Sequence, residues 1–357
     1  MPRDVDLLAA APRWRVTAFR SLAAAMAVGA VLAASTVEAE EKPTWVVTGV
    51  AENDLFAQNN ADRHYSNGVR AALFFEKSEI HDALWELAAK LPLLSSDRRW
   101  SVGFAIGHNI YTPEDKQRLD PIRGDRPYAG WLHGGAVLQS RTPTSLETLE
   151  LDLGVVGPAA LGEEVQNNWH RYVAHVPEAR GWSNQLRNEP GVLLVYERRR
   201  SMLSAPVSEP ALKSLLGNDL GVDVLGNISG SVGNVLTYAG AGATLRFGDN
   251  LGVDFGPPRI QPALAGSDTF YPVDAFAWYA FVGAEMRAVA HNIFLDGNTF
   301  KDSQSVSRKL FVADLQGGLV FVFSRVRLSY TQTMRTREFE GQKRPDWFGS
   351  LSASVRF

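Results

Sequence analysis

Apolar and polar residues alternate with period two through most of the chain. In Leu149-Glu150-Leu151-Asp152-Leu153-Gly154-Val155 the aliphatic side chains fall on one face of an extended strand, the acids and glycine on the other. Phe311, Ala313, Leu315, Leu319, Phe321 and Phe323 share one face, and Asp314, Gln316 and Gly318 the other. Val326, Leu328 and Tyr330 alternate with Arg327, Ser329 and Thr331, and Ala239 to Phe247 repeats the pattern with small residues. About twelve such segments begin near residues 45, 64, 99, 127, 145, 191, 220, 234, 274, 308, 325 and 347. Each runs for about ten residues, the length a tilted strand needs to cross a bilayer. The pattern predicts an all-β fold: a twelve-stranded antiparallel transmembrane β-barrel with short helices in its loops. Two stretches break the alternation. His81 to Leu91 has helical spacing and is expected to be a loop helix at the rim. Glu163 to Val176 reads as a short helix or loop after Gly157-Pro158.

The first forty residues differ in kind. Arg3, Arg13, Arg15 and Arg20 precede an uncharged run from Leu22 to Ala34, and Val37-Glu38-Ala39 offers a cleavage site. This is the layout of a secretory signal peptide, so residues 1–39 are expected to be the leader and 40–357 the barrel. No run of about 20 apolar residues follows, which excludes membrane-spanning helices. An exported, alternating chain points to the bacterial outer membrane, although a soluble sandwich can also alternate. The chain ends Leu351-Ser352-Ala353-Ser354-Val355-Arg356-Phe357. A terminal strand closing on an aromatic resembles the signal by which outer-membrane barrels are recognised for assembly. The barrel assembly machinery is therefore an expected partner.

Composition narrows the chemistry. The 357 residues contain no cysteine, so thiolate catalysis, Cys-ligated zinc and disulfides are excluded. A formal net charge of −3 argues against nucleic-acid binding. Polar residues then collect in four clusters. They are Glu52-Asn53-Asp54; Asp62 with His64-Tyr65-Ser66-Asn67-Gly68; His108 to Pro113 with Lys116, Arg118 and Gly124-Asp125-Arg126-Pro127; and Gly157-Pro158 followed by Gly162 to His170 and Gly181 to Gln185. Each alone has a structural explanation: Asn-Asp and Ser-Asn-Gly are turn chemistry, Asp125-Arg126 is a candidate lumen ion pair, and His170 a candidate loop histidine. Together they supply hard oxygens, a hydroxyl, cations and an imidazole, which is the inventory of a hydrolase.

Five blocks in order, Glu52-Asn53-Asp54, Tyr65-Ser66-Asn67-Gly68, Ile110-Tyr111-Thr112-Pro113, Gly124-Asp125-Arg126-Pro127 and Gly157-Pro158 through Gln166-Asn167-Asn168-Trp169-His170, resemble the outer-membrane lipid A 3′-O-deacylase family. The resemblance implies Ca²⁺-dependent hydrolysis of the 3′-linked acyloxyacyl ester of lipid A, at a site inside the barrel near its outer rim. It implies lipid A, or lipopolysaccharide, and the bilayer as partners. Asn53 and Asp54 match the metal site, Ser66 the family's Thr or Ser, and His170 the catalytic histidine. Lys116, Arg118 and Arg126 are the expected grip on the lipid A phosphates. The family's acidic residue after the histidine falls here near Val176, with Glu178 the nearest carboxylate. A cation on Asn53 and Asp54 would polarise the carbonyl, and His170 would take a proton from water. The rival route uses Ser66 as nucleophile. The competing functions are a porin or binding barrel and a phospholipase. The latter's Ser–His signature is not found. A closed barrel has no edge that demands a partner, so a monomer is expected.

Overall fold

The alternation closes into a ring. In the computed structural model, which describes residues 44–57, 63–76, 99–260 and 266–357, twelve antiparallel strands pair in sequence order and β1 completes the circle with β12. The strands are β1 (Thr44–Asn53), β2 (His64–Glu76), β3 (Arg99–Thr112), β4 (Ala129–Arg141), β5 (Ser145–Val156), β6 (Glu189–Pro206), β7 (Leu220–Gly233), β8 (Leu236–Asp249), β9 (Phe276–Asn292), β10 (Phe311–Phe323), β11 (Val326–Arg335) and β12 (Asp346–Arg356). They lie where the period-two pattern puts them. The leader at 1–39 and the helix expected over 81–91 lie outside the described residues.

The faces are inverted relative to a soluble barrel. Outward positions are apolar and exposed, as at Phe104, Ile106, Leu153, Ile228, Val282 and Leu315. Inward positions are polar and buried, as at Arg70, Glu150, Asp152, Arg246, Glu285 and Asp314. Such a surface is stable only where lipid, and not water, surrounds it.

The lumen is crossed by the segment between β8 and β9, which the sequence reading passed over as a gap. Asp254 accepts hydrogen bonds from Arg327 of β11 (2.8 Å), Arg246 of β8 (3.1 Å) and Tyr279 of β9 (2.8 Å). Arg199 of β6 donates to the Phe255 carbonyl at 2.7 Å. Arg259 reaches Glu52 of β1 at 2.8 Å and Gln316 of β10 at 2.7 Å. Asp268 pairs with Arg70 of β2 at 2.7 Å, and its carbonyl accepts from Thr48 of β1 at 2.9 Å. Bonds to strands on all sides of the ring place this segment inside it as a plug. That arrangement does not suit the porin alternative, which needs an open lumen.

Candidate active site

The strand parity decides which way each candidate faces. Glu52 shares its face with Thr48 and points into the lumen, where it accepts from the Tyr65 hydroxyl at 3.0 Å as well as from Arg259. Asn53 therefore points outward, with Ala51 and the exposed Val47. On β3 the exposed Phe104 and Ile106 mark the outward face, which continues through His108, Ile110 and Thr112. These three are buried although they face away from the lumen, with Ile110 and Thr112 fully enclosed.

What covers them is the loop after β5. It returns over the outer surface of the barrel. A one-turn 3-10 helix (Pro158–Ala160) leads through a left-handed Leu161 into the α-helix Gly162–Trp169, and a π-helical turn (His170–Ala174) follows. The helix lies close to the wall because two glycines allow it. A Cβ on Gly130 of β4 would sit 3.1 Å from Ala160 and 3.2 Å from Gly162, and one on Gly162 would sit 2.7 Å from the Trp182 ring. His108 pins the loop through the Ala160 carbonyl at 2.7 Å. The Asn167 side chain clasps Ala179 by both its oxygen (2.8 Å) and its nitrogen (3.2 Å). Ile110, Tyr128, Ala179 and Trp182 form a small apolar core beneath this roof.

Between wall and roof lies a cavity of about 470 Å³. Ala51, Asn53, Ser66, Asn67, Val69 and Ile110 line it from the barrel, and Gln166, Trp169, His170 and Tyr172 from the loop. A β-bulge between Tyr65 and Asn67 brings Ser66 to it. Tyr65 turns into the lumen, Asn67 turns out beside Asn53, and Ser66 is the extra residue. Ser66 Oγ shares a 2.6 Å hydrogen bond with Thr112 Oγ1. Asp54 opens the turn after β1, and its Oδ2 accepts from the Arg63 backbone N–H at 2.6 Å. Among the described residues no group of three or more His, Asp or Glu side chains is arranged to hold a metal ion. A hard cation is better served by oxygen, however. Asn53 and Asp54 offer an amide oxygen and a carboxylate, the donor types that Ca²⁺ takes, leaving backbone, water and substrate to complete about six to eight ligands.

His170 is buried, and its Nδ1 lies 2.9 Å from the Pro177 carbonyl. A carbonyl only accepts, so Nδ1 carries the proton and Nε2 is the basic nitrogen. Glu178, the carboxylate for which the resemblance left an acidic role open, is not the group beside His170 Nδ1. It is half exposed and ion-paired with Arg171 at 2.6 Å, and the main-chain oxygen of Pro177 orients the imidazole instead.

The three candidate cations differ in setting. Arg126 is fully buried at the mouth of the lumen, paired with Glu338 at 3.2 Å and stacked 4.8 Å from the Tyr111 ring, and it lines a small cavity together with Arg118. Lys116 and the exposed Arg118 belong to the loop between β3 and β4, which packs beside the roof. The Lys116 carbonyl accepts from Arg180 N–H at 2.8 Å, and Gln117 donates to the Glu178 carbonyl at 3.0 Å. Three groups at the site had been given no role from the sequence: the Pro177 carbonyl, Thr112, and Trp182, whose indole N–H donates to Gln166 Oε1 at 3.0 Å. Thr112 and Trp182 stand in blocks singled out from the sequence, and Pro177 does not.

The family model "Outer membrane protein LpxR" matches residues 21–357. No sequence among the curated proteins matches the chain. Of solved structures, LpxR from Salmonella typhimurium aligns with a TM-score of 0.67 at 22% identity, covering 87% of this chain and 99% of that one. The β-domain of the Bordetella autotransporter BrkA aligns at 12% identity with a TM-score of 0.39, covering 88% and 99%. A family match over nearly the whole chain, on a closed barrel with a lipid-facing exterior, shows that this chain belongs to the LpxR family of outer-membrane lipid A 3′-O-deacylases.

Proposed function

We propose that the cavity between the outer wall and the loop helix is where the 3′-linked acyloxyacyl ester of lipid A is hydrolysed, with His170 as general base. The observation that carries this reading is the placement of an oriented imidazole, Asn53 and Ser66 around one cavity on the face where lipid lies. An acyl chain in the outer leaflet reaches such a cavity without leaving the hydrocarbon.

His170 Nε2 takes a proton from water as the water oxygen bonds to the ester carbonyl carbon. The tetrahedral oxyanion then collapses, the bond from carbonyl carbon to sugar oxygen breaks, and His170 returns the proton to that oxygen. The products are the free acyloxyacyl acid and a 3′-hydroxyl. Asn53 and Asp54 would hold Ca²⁺, which when bound supplies positive charge opposite the developing oxyanion. Ser66, bonded to Thr112, fixes the wall and is not the nucleophile. Lys116 and Arg118, beside the roof, face the phosphates of the disaccharide. The Pro177 carbonyl holds the ring in its reactive tautomer, the part a carboxylate plays in many hydrolases.

The test is mass spectrometry of lipid A incubated with the full-length protein and with His170→Ala. The wild type should release the acyl chain. The variant should leave the mass unchanged while keeping the heat-modifiable migration of a folded barrel. Full activity in the variant would remove His170 from the mechanism.

A further inference from the structure

The roof carries a polar group that the mechanism above does not use. Gln166 is 4% exposed and lines the cavity, and its Nε2 has no hydrogen-bond partner among the described residues. The orientation of the amide is not arbitrary. The Trp182 indole N–H is a donor only, and it lies 3.0 Å from Oε1. Trp182 is itself buried against Gly162 and Tyr128, so it cannot turn away. The oxygen is committed to Trp182, and the NH₂ must face the cavity. A buried donor without an acceptor costs free energy unless a ligand supplies the acceptor.

We propose that Gln166 Nε2 donates a hydrogen bond to the carbonyl oxygen of the scissile ester and holds it as it becomes an oxyanion. Position in the helix favours that oxygen over others on the substrate. Gln166 and His170 are four residues apart, so their side chains share one face, about one helical turn from each other. A carbonyl held by the amide places its carbon beside a water held by the imidazole. The largely apolar surroundings keep bulk water from competing, which strengthens a donor aimed at developing charge.

The inference rests on the reading of His170 as base, and the experiment separates the two. Full-length wild type, Gln166→Leu, Trp182→Phe, the Gln166→Leu/Trp182→Phe double variant and His170→Ala would be assayed on lipid A in mixed micelles with Ca²⁺. Binding of a phosphonate analogue of the tetrahedral intermediate would be measured alongside. Gln166→Leu should lower kcat by about 10²–10³-fold, leave KM within about threefold, and lose phosphonate affinity by a factor close to the kcat loss. The double variant removes the orphaned indole N–H and should lose as much, which excludes damage to the roof as the cause. Trp182→Phe keeps the donor but unlocks it, and should fall about tenfold. A kcat within threefold of wild type, a loss confined to KM, or unchanged phosphonate affinity would overturn the proposal. If Gln166→Leu is fully active while His170→Ala is inactive, this inference alone falls. If His170→Ala is active, the base falls with it.

Discussion

The lumen and the outer wall beneath the loop helix are both polar, and they use polarity in opposite ways. In the lumen the charges are many and engaged with one another: Asp254 is met by Arg246 and Arg327, Asp314 by Arg335 and Arg287, and Arg70 by Asp268 and Glu150. On the outer wall the polar groups are few, set in apolar surroundings, and aimed at an empty volume. The first arrangement rigidifies a plugged barrel. The second is poised for a ligand. Density of charge therefore does not locate function in this molecule. On the function proposed above, it sits at the cavity edged by the oriented His170 and Gln166 instead.

The sharpest way to break the comparison is to disturb each region and read activity and folding separately. Asp54→Ala, or chelation of the wild type with EGTA, should abolish acyl release, a loss of at least about 10³-fold, and Ca²⁺ should restore only the chelated wild type. Heat-modifiable migration should not change. Activity that persists through chelation would remove the cation from the outer-wall site. Arg126→Met does the reverse. It leaves Glu338 at the lumen mouth with only the 3.8 Å contact to Arg335, at a cost of at most about 3–5 kcal/mol. The barrel should unfold at lower urea, while the folded fraction keeps kcat within about twofold. A large fall in kcat without loss of stability would mean that Arg126 touches substrate after all.

The strands were legible because period two is imposed by geometry, and the expected starts near 64, 99, 145 and 220 coincide with those of β2, β3, β5 and β7. The side of the wall was written in the same parity. Glu52 shares its face with Thr48, and Asn53 shares its face with Val47 and Ala51, so the cluster Glu52-Asn53-Asp54 is divided between lumen and lipid. Reading the three as one group hides that division. The bulge at Ser66 was not legible, since a one-residue slip leaves no mark on composition. The plug was missed for a related reason. Residues 250–275 have no period, and their acids and arginines find partners on strands far away in sequence. The role of Glu178 depended on a loop path that only tertiary packing sets.

A smaller effect sharpens the outer site itself. Ser66 Oγ and Thr112 Oγ1 are bonded at 2.6 Å, so Ser66→Ala should remove one neutral hydrogen bond, about 1 kcal/mol, and lower kcat by about fivefold. No acyl adduct should appear on the intact protein by mass spectrometry during turnover. An adduct at Ser66, or a loss comparable to that of His170→Ala, would replace direct water attack with a serine nucleophile.

The smallest effect concerns the junction of the two regions, where the loop between β3 and β4 carries Lys116 and Arg118 beside the roof and is anchored at the lumen mouth. Asp125 is the anchor. It accepts the backbone N–H of Glu114 at 2.7 Å and of Arg126 at 2.8 Å, and its Oδ1 lies 3.6 Å from His64. Burial pushes this carboxyl up, but the nearby His64 imidazole and the two N–H groups outweigh burial and hold it below the ordinary carboxylate value. A depressed value in the folded state adds stability above the unfolded value of about 3.9, and that contribution is lost as pH falls through the folded value. As pH falls below about 3.9 the loop should therefore gain amide hydrogen exchange over 113–128 while the strands stay protected. Asp125→Asn should remove the pH step, and at neutral pH it should exchange as the acidified wild type does. A pH-independent loop in the wild type would mean that the anchor is not the carboxylate, and that the roof's neighbour is held by the apolar contacts of Tyr128 and Trp182 alone.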